Sequence, residues 1–552
     1  MYKEEVVLCS QILNQHFGPI VEQVGMMLIR RGRSTIPYIC KETKMARKNV
    51  RECLVVLIQH LLVSHSENME NGRIIVHYNF SIKNLLKRTR IGMYLALIEE
   101  RFGKTGLEVA KLIALNGTLT LDQIRKSLEK ETNSIDINLY EDTMLMMVKD
   151  RSLVAVRPEN MLTVEDIKQK LELKEISTMT VPPTAKELEN IRSRINEEID
   201  IRTNSKIIVG TKRKITENGI NNPAKRLKMG TNNSEDEELD PGCFFAIGVN
   251  KLDVLLRNTH LANYADRITN IGGVTVMKTL LGIAEPSLGS CKDHKTFTIS
   301  TPQIIARIPK EVSIENMIIL SNDDNDSESA NGYYKSEKKR NIAVAESVFS
   351  FLEILSNDKS GMVIKTDGIG PGQFYVNFEK GIYAIRRQMI NEFVRSHYGN
   401  ESVRLLNILA DHPYLDEKQL SKIGMMPPTT CREKLMELSL VGLVEVQEIH
   451  RSADRAPIRT LYLYTIDTNR QASAMLKLLY SFTLKLNQRL DYENLLKQKL
   501  IMKANRNDVV NDNSLLSEGD KDSLNELNST LEKIGAALLR IDSVILVFRD
   551  SL

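Results

Sequence analysis

The chain has no tryptophan, and aromatic residues make up only 5% of its 552 positions. Proline is also scarce, at 15 residues. Both scarcities suit a mostly helical protein. The six cysteines (Cys9, Cys40, Cys53, Cys243, Cys291 and Cys431) stand far apart, with no C-x-x-C pair. That spacing argues against a disulfide framework or structural zinc and for a reducing compartment. The nine histidines form no H-E-x-x-H and no Cys/His grouping at metal spacing, so no metal and no cofactor are expected. No run of about 18 apolar residues exists, which argues against a membrane span. The N-terminus, MYKEEVVLCSQ, carries charges where a secretory leader would be apolar, so none is expected. The formal net charge is only +4, so any basic surface must be local. No nucleophile, base and orienting group can be argued together from sequence, and no catalytic residue is assigned.

Two glycine motifs are also discounted. Gly103-Lys104-Thr105 resembles the end of a phosphate loop, but Ile98 stands where that motif needs glycine. Gly368, Gly370 and Gly372 surround Pro371, which has no N–H to offer a phosphate. A hairpin turn is the simpler reading.

What the chain does contain is one pattern four times over. A helix with a wide apolar face runs directly into a short β-hairpin. The first copy spans Arg47 to Phe80, with Val50, Leu54, Leu57, Ile58 and Leu61 on one stripe and Asn71-Gly72 at the turn. The last spans Pro428 to Ile466. A helix followed by a two-stranded wing is the end of a winged helix, a class that mostly binds nucleic acid or protein. The expected fold is mainly α with small β-wings: four tandem winged-helix domains, then a C-terminal antiparallel coiled coil. The expected boundaries are 1–80 and 81–180 for the first two winged helices. A helical linker with a disordered basic and acidic loop follows at 181–242. The third winged helix is placed at 243–380, with a disordered insert at 321–341, and the fourth at 381–468. A coiled-coil hairpin closes the chain at 469–552. Its seam is Leu524, Leu527, Leu531, Ile534, Leu538, Ile541, Ile545 and Phe548, at alternating spacings of three and four. Met475, Leu479, Phe482 and Leu486 start a similar seam upstream.

Three charged segments are candidate sites. Arg30, Arg31, Arg33, Lys41, Lys44, Arg47, Lys48 and Arg51 cluster around the start of the first unit's third helix, opposed only by Glu42 and Glu52. That helix end enters the major groove in a helix-turn-helix, where Arg and Lys neutralise phosphates. A solvated helix face is the equally weighted alternative. Only Asn49 could read a base, so contact would be largely sequence-independent. The run Lys83, Lys87, Arg88 and Arg90 either extends this stripe or is a solvated linker. Lys212-Arg213-Lys214, a ten-residue spacer, then Lys225-Arg226-Leu227-Lys228 matches a bipartite nuclear-import pattern. Ser234 and Ser327 lie among acidic residues, as phosphorylation sites often do.

The chain closely resembles the winged-helix subunit of RNA polymerase III that belongs to its initiation heterotrimer. The resemblance is carried by LCSQILNQHFGPIVEQVGMMLIRRG (8–32), LVVLIQHLLVS (54–64), ADRAPIRTLYLYTID (453–467) and ASAMLKLLYSFTLKLNQRL (472–490). The order of elements also matches. The resemblance implies a noncatalytic subunit similar to the large subunit of the general transcription factor TFIIE. It implies a place on the clamp side of the polymerase core with two partner subunits, recruitment through TFIIIB, and support for promoter opening on tRNA, 5S and other small RNA genes. It implies a nuclear protein that binds DNA, does not touch membrane and is not a homo-oligomer. Within that frame, Arg47, Lys48 and Arg51, with Arg451, Arg455 and Arg459 of the fourth unit's wing, are the DNA or polymerase contacts expected by position. The alternative is a free-standing, sequence-specific winged-helix regulator that dimerises through its coiled coil.

Overall fold

A computed structural model describes residues 3–70, 73–131, 137–156, 164–178, 185–204, 211–213, 237–308, 333–366, 372–450, 460–506, 508–509 and 516–551. They divide into two compact units, Lys3–Leu252 and Asp253–Leu552.

In the first unit, α1 (Lys3–Phe17) turns at Gly18, φ +85°, into α2 (Pro19–Arg31), where proline fits the first helical position. A two-residue strand, β1 (Ser34–Thr35), leads to α3 (Ile36–Thr43) and α4 (Arg47–Gln59). The hairpin β2 (Val63–Glu70) and β3 (Arg73–Phe80) follows, and β1 pairs with β3 to give the order β1-β3-β2. The apolar stripe drives this packing. Val50, Leu54 and Leu57 are fully buried with Leu8, Ile12, Leu13, Val24, Leu28, Ile39 and Leu62.

A short helix, α5 (Ile82–Lys87), leads to α6 (Ile91–Asn116). The sequence suggests two helices at 91–101 and 106–116, and α6 does break at Gly103, whose φ of +71° suits glycine. Then come β4 (Leu119–Thr120), α7 (Leu121–Glu131), α8 (Ile137–Lys149) and β5 (Leu153–Val156). An antiparallel helix pair, α9 (Val164–Thr178) and α10 (Ala185–Asn204), is tied by Arg192–Glu172 at 2.8 Å and Arg194–Glu175 at 3.4 Å.

Three expectations need correction here. Among the described residues of 81–180, β5 has no partner strand. The second wing is completed by β8 (Phe244–Ile247), a segment expected in the third unit, which pairs with both β4 and β5. β5 has apolar residues for both faces and would otherwise present an unpaired edge. The loop 208–242 is also not wholly irregular. β6 (Thr211–Arg213) pairs with β7 (Glu237–Leu239), setting Lys212 opposite Glu238 and Arg213 opposite Glu237. Finally, residues 333–341 of the expected insert are helical, because the long third helix of the next winged unit starts at Tyr333.

The boundary between the units falls within α11 (Val249–Ile268). Beyond it, α12 (Ile271–Ala284), β9 (Ile299–Ser300), α13 (Thr301–Arg307), α14 (Tyr333–Asn357), β10 (Val363–Lys365) and β11 (Gln373–Val376) form a third winged helix, sheet order β10-β11-β9. α15 (Phe378–Tyr398) leads to the fourth: α16 (Asn400–Asp411), β12 (Leu415–Asp416), α17 (Glu417–Gly424), α18 (Pro428–Val441), β13 (Glu445–His450) and β14 (Thr460–Thr465), sheet order β12-β14-β13. Each winged unit thus has the same device: a two-residue strand before the second helix pairs with a long wing strand.

The chain closes with α19 (Thr468–Leu496), α20 (Gln498–Ala504) and α21 (Glu518–Ile545). α19 and α21 run antiparallel: Lys497 meets Glu526 at 3.0 Å and Lys503 meets Asp520, both near the start of α21. Leu527, Ile534, Ile545 and Phe548 are buried; Leu524, Leu531, Leu538 and Ile541 are half-buried. Arg386 of α15 holds the far end. It donates to the carbonyl oxygens of Val547 (3.1 Å), Phe548 (3.4 Å) and Ser551 (2.6 Å). These groups have no partner within the terminating helix.

Candidate nucleic-acid interface

The first unit places its basic residues around the turn between α3 and α4. α3 ends on Lys44, a left-handed residue with φ +56°, which redirects the chain into α4. The α4 N-cap, Ala46, offers no side-chain cap, so the first-turn N–H groups face outward beside Arg47, Lys48 and Asn49. Lys41, Lys44, Arg47, Lys48, Asn49 and Arg51 are all exposed. Lys48 makes a loose, exposed pair with Glu52 at 4.0 Å. Lys41, Lys44, Arg47 and Arg51 make no ion pair among the described residues. The buried stripe accounts for this face, since Val50, Leu54 and Leu57 point inward and the intervening positions cannot.

Arg30, Arg31 and Arg33 lie at the end of α2 and just beyond, and they divide. Arg30 is exposed. Arg31 is paired with Glu42 of α3 at 3.3 Å. Arg33 donates to the Ser66 hydroxyl and so braces the wing. Arg51 lies close enough to the wing to act on Tyr78, whose hydroxyl is pushed up by burial and pulled back by the Arg51 charge.

The run at 83–90 does not extend this stripe. Lys83 is exposed, but Arg90 is wholly buried and Lys87 bonds Asn250 at 3.4 Å. Arg88 is half-buried, 3.0 Å from His60 Nδ1 and stacked over the Phe17 ring at 4.8 Å. These side chains fill the joint between the first two winged helices. The sequence shows charge there but not direction. The same joint is closed by Gly117: its φ is +83°, Thr118 N–H donates to Gln59 O at 2.9 Å, and a Cβ on Gly117 would sit 2.5 Å from that oxygen.

The joint should respond to acid. His60 is driven down to about 4 by burial first, then by the charges of Arg88 and His16. Unfolded, it would titrate near 6.5, so between those values the unfolded chain binds a proton that the folded chain refuses. Stability therefore falls as pH drops from about 6.5 toward 4 and is level above. Thermal unfolding of the first unit should occur at lower temperature at pH 5 than at pH 7, and His60→Gln should narrow that difference. An unchanged difference would place the acid sensitivity elsewhere.

The other three recognition helices present different faces. α8 exposes Asn138, Leu139, Asp142 and Met146. Over its described side chains, α14 exposes Glu346, Ile354 and Asn357. α18 exposes Thr429, Arg432, Glu433, Met436 and Leu440, and Arg432 is held by Glu417 through two bonds of 2.7 and 3.2 Å. Among the described side chains of these four recognition helices, only those of α4 turn uncompensated cations outward. Arg451, Arg455 and Arg459 lie outside the described residues, as do Lys214, Lys225, Arg226, Lys228, Ser234 and Ser327. No His/Cys/Asp/Glu grouping suited to a metal occurs among the described residues, and no described helix is long and apolar enough to cross a membrane.

Comparison with known proteins adds to this geometry. The family model for RNA polymerase III subunit RPC82 matches residues 142–383, and its helix-turn-helix domain matches 7–68. The C-terminal winged-helix domain of POLR3C matches 390–466. The chain is similar to DNA-directed RNA polymerase III subunit RPC3 of Homo sapiens, at 22% identity over 100% of this chain and 98% of the relative. It is similar to the Danio rerio protein of that name at 24% identity, covering 92% and 88%. The Emericella nidulans subunit rpc3 is 23% identical, covering 98% and 99%.

Proposed function

Because this chain belongs to the RPC82/RPC3 family of RNA polymerase III subunits, we propose that it is the noncatalytic scaffold of the polymerase's initiation subcomplex, with its first winged helix turned to DNA. In this reading it sits at the clamp side of the core with two partner subunits. It supports recruitment through TFIIIB and promoter opening on small RNA genes. The carrying observation is the contrast between recognition helices: Arg47 and Arg51 stand exposed on α4 with no ion pair among the described residues, beside Lys48, which Glu52 holds only loosely, and Lys44 at the turn before it, where phosphates meet a helix-turn-helix. Asn49 is the one base-reading side chain on the exposed first turn, so contact is largely independent of sequence.

Polymerase assembled with Arg47→Glu, Lys48→Glu and Arg51→Glu together should open promoters poorly yet elongate nearly normally on a preformed scaffold. Elongation grips nucleic acid through the catalytic subunits. The core stripe Val50–Leu54–Leu57 is untouched, so the subunit should still fold and assemble. Equal losses in both assays would move the α4 face out of initiation.

The nuclear reading rests on the two basic clusters at 212–214 and 225–228. Replacing Lys212, Arg213, Lys214, Lys225, Arg226 and Lys228 with Ala should shift newly made protein toward the cytoplasm without lowering its melting temperature. Unchanged nuclear accumulation in the absence of a carrying partner would refute the import signal.

A further inference from the structure

The first and fourth winged helices share one frame. Residues 34–63 and 415–444 align without a gap. The strands Ser34–Thr35 and Leu415–Asp416 correspond, as do the left-handed residues Lys44 and Met425. So do the buried pairs Val50 and Cys431, Leu54 and Leu435, Leu57 and Leu438, Leu62 and Leu443, and Val63 and Val444. With the core held constant, the outward positions can be compared directly, and most of the first unit's cations are replaced. Lys44 becomes Met425, Arg47 becomes Pro428, Lys48 becomes Thr429, Val55 becomes Met436 and Gln59 becomes Leu440. Arg51 keeps its counterpart in Arg432, but Glu417, which stands where the first unit has Ile36, neutralises that charge.

The result is an exposed face on which Met425, at the turn before α18, precedes Thr429, Glu433, Met436 and Leu440 of the helix, with Glu433 the one charge among them. Met425 is 88% exposed, Leu440 77% and Met436 61%. Ile423 is exposed beside it. Met425, Met436 and Leu440 offer a phosphate backbone no cation to take the place of its counterions. The face suits an apolar partner, and methionine adapts to varied side chains. Charge identifies the partner further. Lys418 and Lys422, one turn apart on α17, are exposed and make no ion pair among the described residues. Lys422 adjoins Ile423 at the margin of this face.

We propose that the recognition-helix face of the fourth winged helix docks an amphipathic helix of a partner polypeptide, apolar on the side that meets Met425, Met436 and Leu440 and acidic along the flank that meets Lys418 and Lys422. One winged-helix frame is thereby used twice in this chain, once toward nucleic acid and once toward protein. Met436 and Leu440, four apart on α18, form a short apolar ridge that a second helix can straddle in ridges-into-grooves fashion.

The test is made in the assembled polymerase, with a photoreactive benzoyl-phenylalanine in place of Leu440. Leu440 is exposed, so the core should be undisturbed, and an unchanged melting temperature would verify that. Irradiation should join position 440 to a protein segment whose sequence, read by mass spectrometry, has apolar residues at helical spacing and an Asp/Glu flank. Adding Lys418→Glu and Lys422→Glu should cut the adduct yield about tenfold, the scale of a lost interface anchor. Lys418→Arg with Lys422→Arg should retain it. An adduct to DNA or RNA, to a second copy of this chain or to a segment without an acidic flank would overturn the proposal. So would the absence of any adduct.

Discussion

Replacing Leu527 and Ile534 with Asp should melt the C-terminal helical hairpin while leaving the Lys3–Leu252 unit folded. Both side chains are buried, at 2% and 8% exposure, in α21 packed on α19. Each substitution removes a buried apolar side chain and puts a carboxylate in its buried place, at a cost of about 3–5 kcal/mol. Two such changes approach the whole stability of a domain, about 5–15 kcal/mol. The loss should reach beyond the hairpin. Gln471 of α19 donates to Leu443 O at 2.7 Å, and Arg386 caps the terminal carbonyls, so α15 and the fourth winged helix lose support as well. Circular dichroism should show the lost helix, and proteolysis should cut within 468–551 first. Leu539→Asp, at an exposed position, should be tolerated. The heptad positions Leu531 and Leu538 are half-buried and should cost less than the Leu527–Ile534 pair. The helices are joined within one chain, so self-closure at an effective concentration of about mM outcompetes dimerisation. A variant that stays helical, or a tail that forms a parallel homodimer, would contradict this packing.

Gly248→Ala should destabilise the second winged helix and lower its melting temperature. Gly248 follows β8, its N–H donates to Ser152 O at 2.8 Å, and an added Cβ would stand 2.1 Å from Arg151 O. The obstacle is backbone rather than a flexible side chain, so β8 must shift off β5. Overpacking of this kind costs about 1–3 kcal/mol. For a unit of this size, at about 2–4 °C per kcal/mol, that corresponds to roughly 2–12 °C in melting temperature. Gly535→Ala, on α21 with open space around its Cβ, should be neutral or slightly stabilising, as helix propensity favours alanine by about 1 kcal/mol. If Gly248→Ala melts with the wild type, residues 244–247 do not complete the second wing.

These two predictions also mark what the sequence could reveal. The stripe Val50–Leu54–Leu57 and the break near Gly103 were legible because local periodicity and glycine directly govern helix faces and helix ends. The completion of the second wing by Phe244–Ile247 was not. A long intervening segment separates β5 from β8, and strand pairing leaves no local mark on either partner. The run 83–90 shows the same limit. Its composition gives charge, but only packing against Phe17 and His60 turns Arg88 inward. The α4 cluster was legible as charge, and the structure adds that its cations are outward and largely unpaired. The difference between the first and fourth recognition faces could be read only after both helices had been placed in one frame.

The central claim is that α4 of the first winged helix contacts the phosphate backbone. Its most direct test is the salt dependence of DNA binding by the purified subunit, for wild type and for Arg47→Ala, Lys48→Ala and Arg51→Ala together. If the three side chains neutralise phosphates, the slope of log affinity against log salt should become shallower by roughly 0.9 for each contact removed, about 2–3 in all. Affinity should fall about equally on all duplex sequences. An unchanged affinity and slope in the triple variant would contradict the account and leave the α4 face as a solvated helix surface.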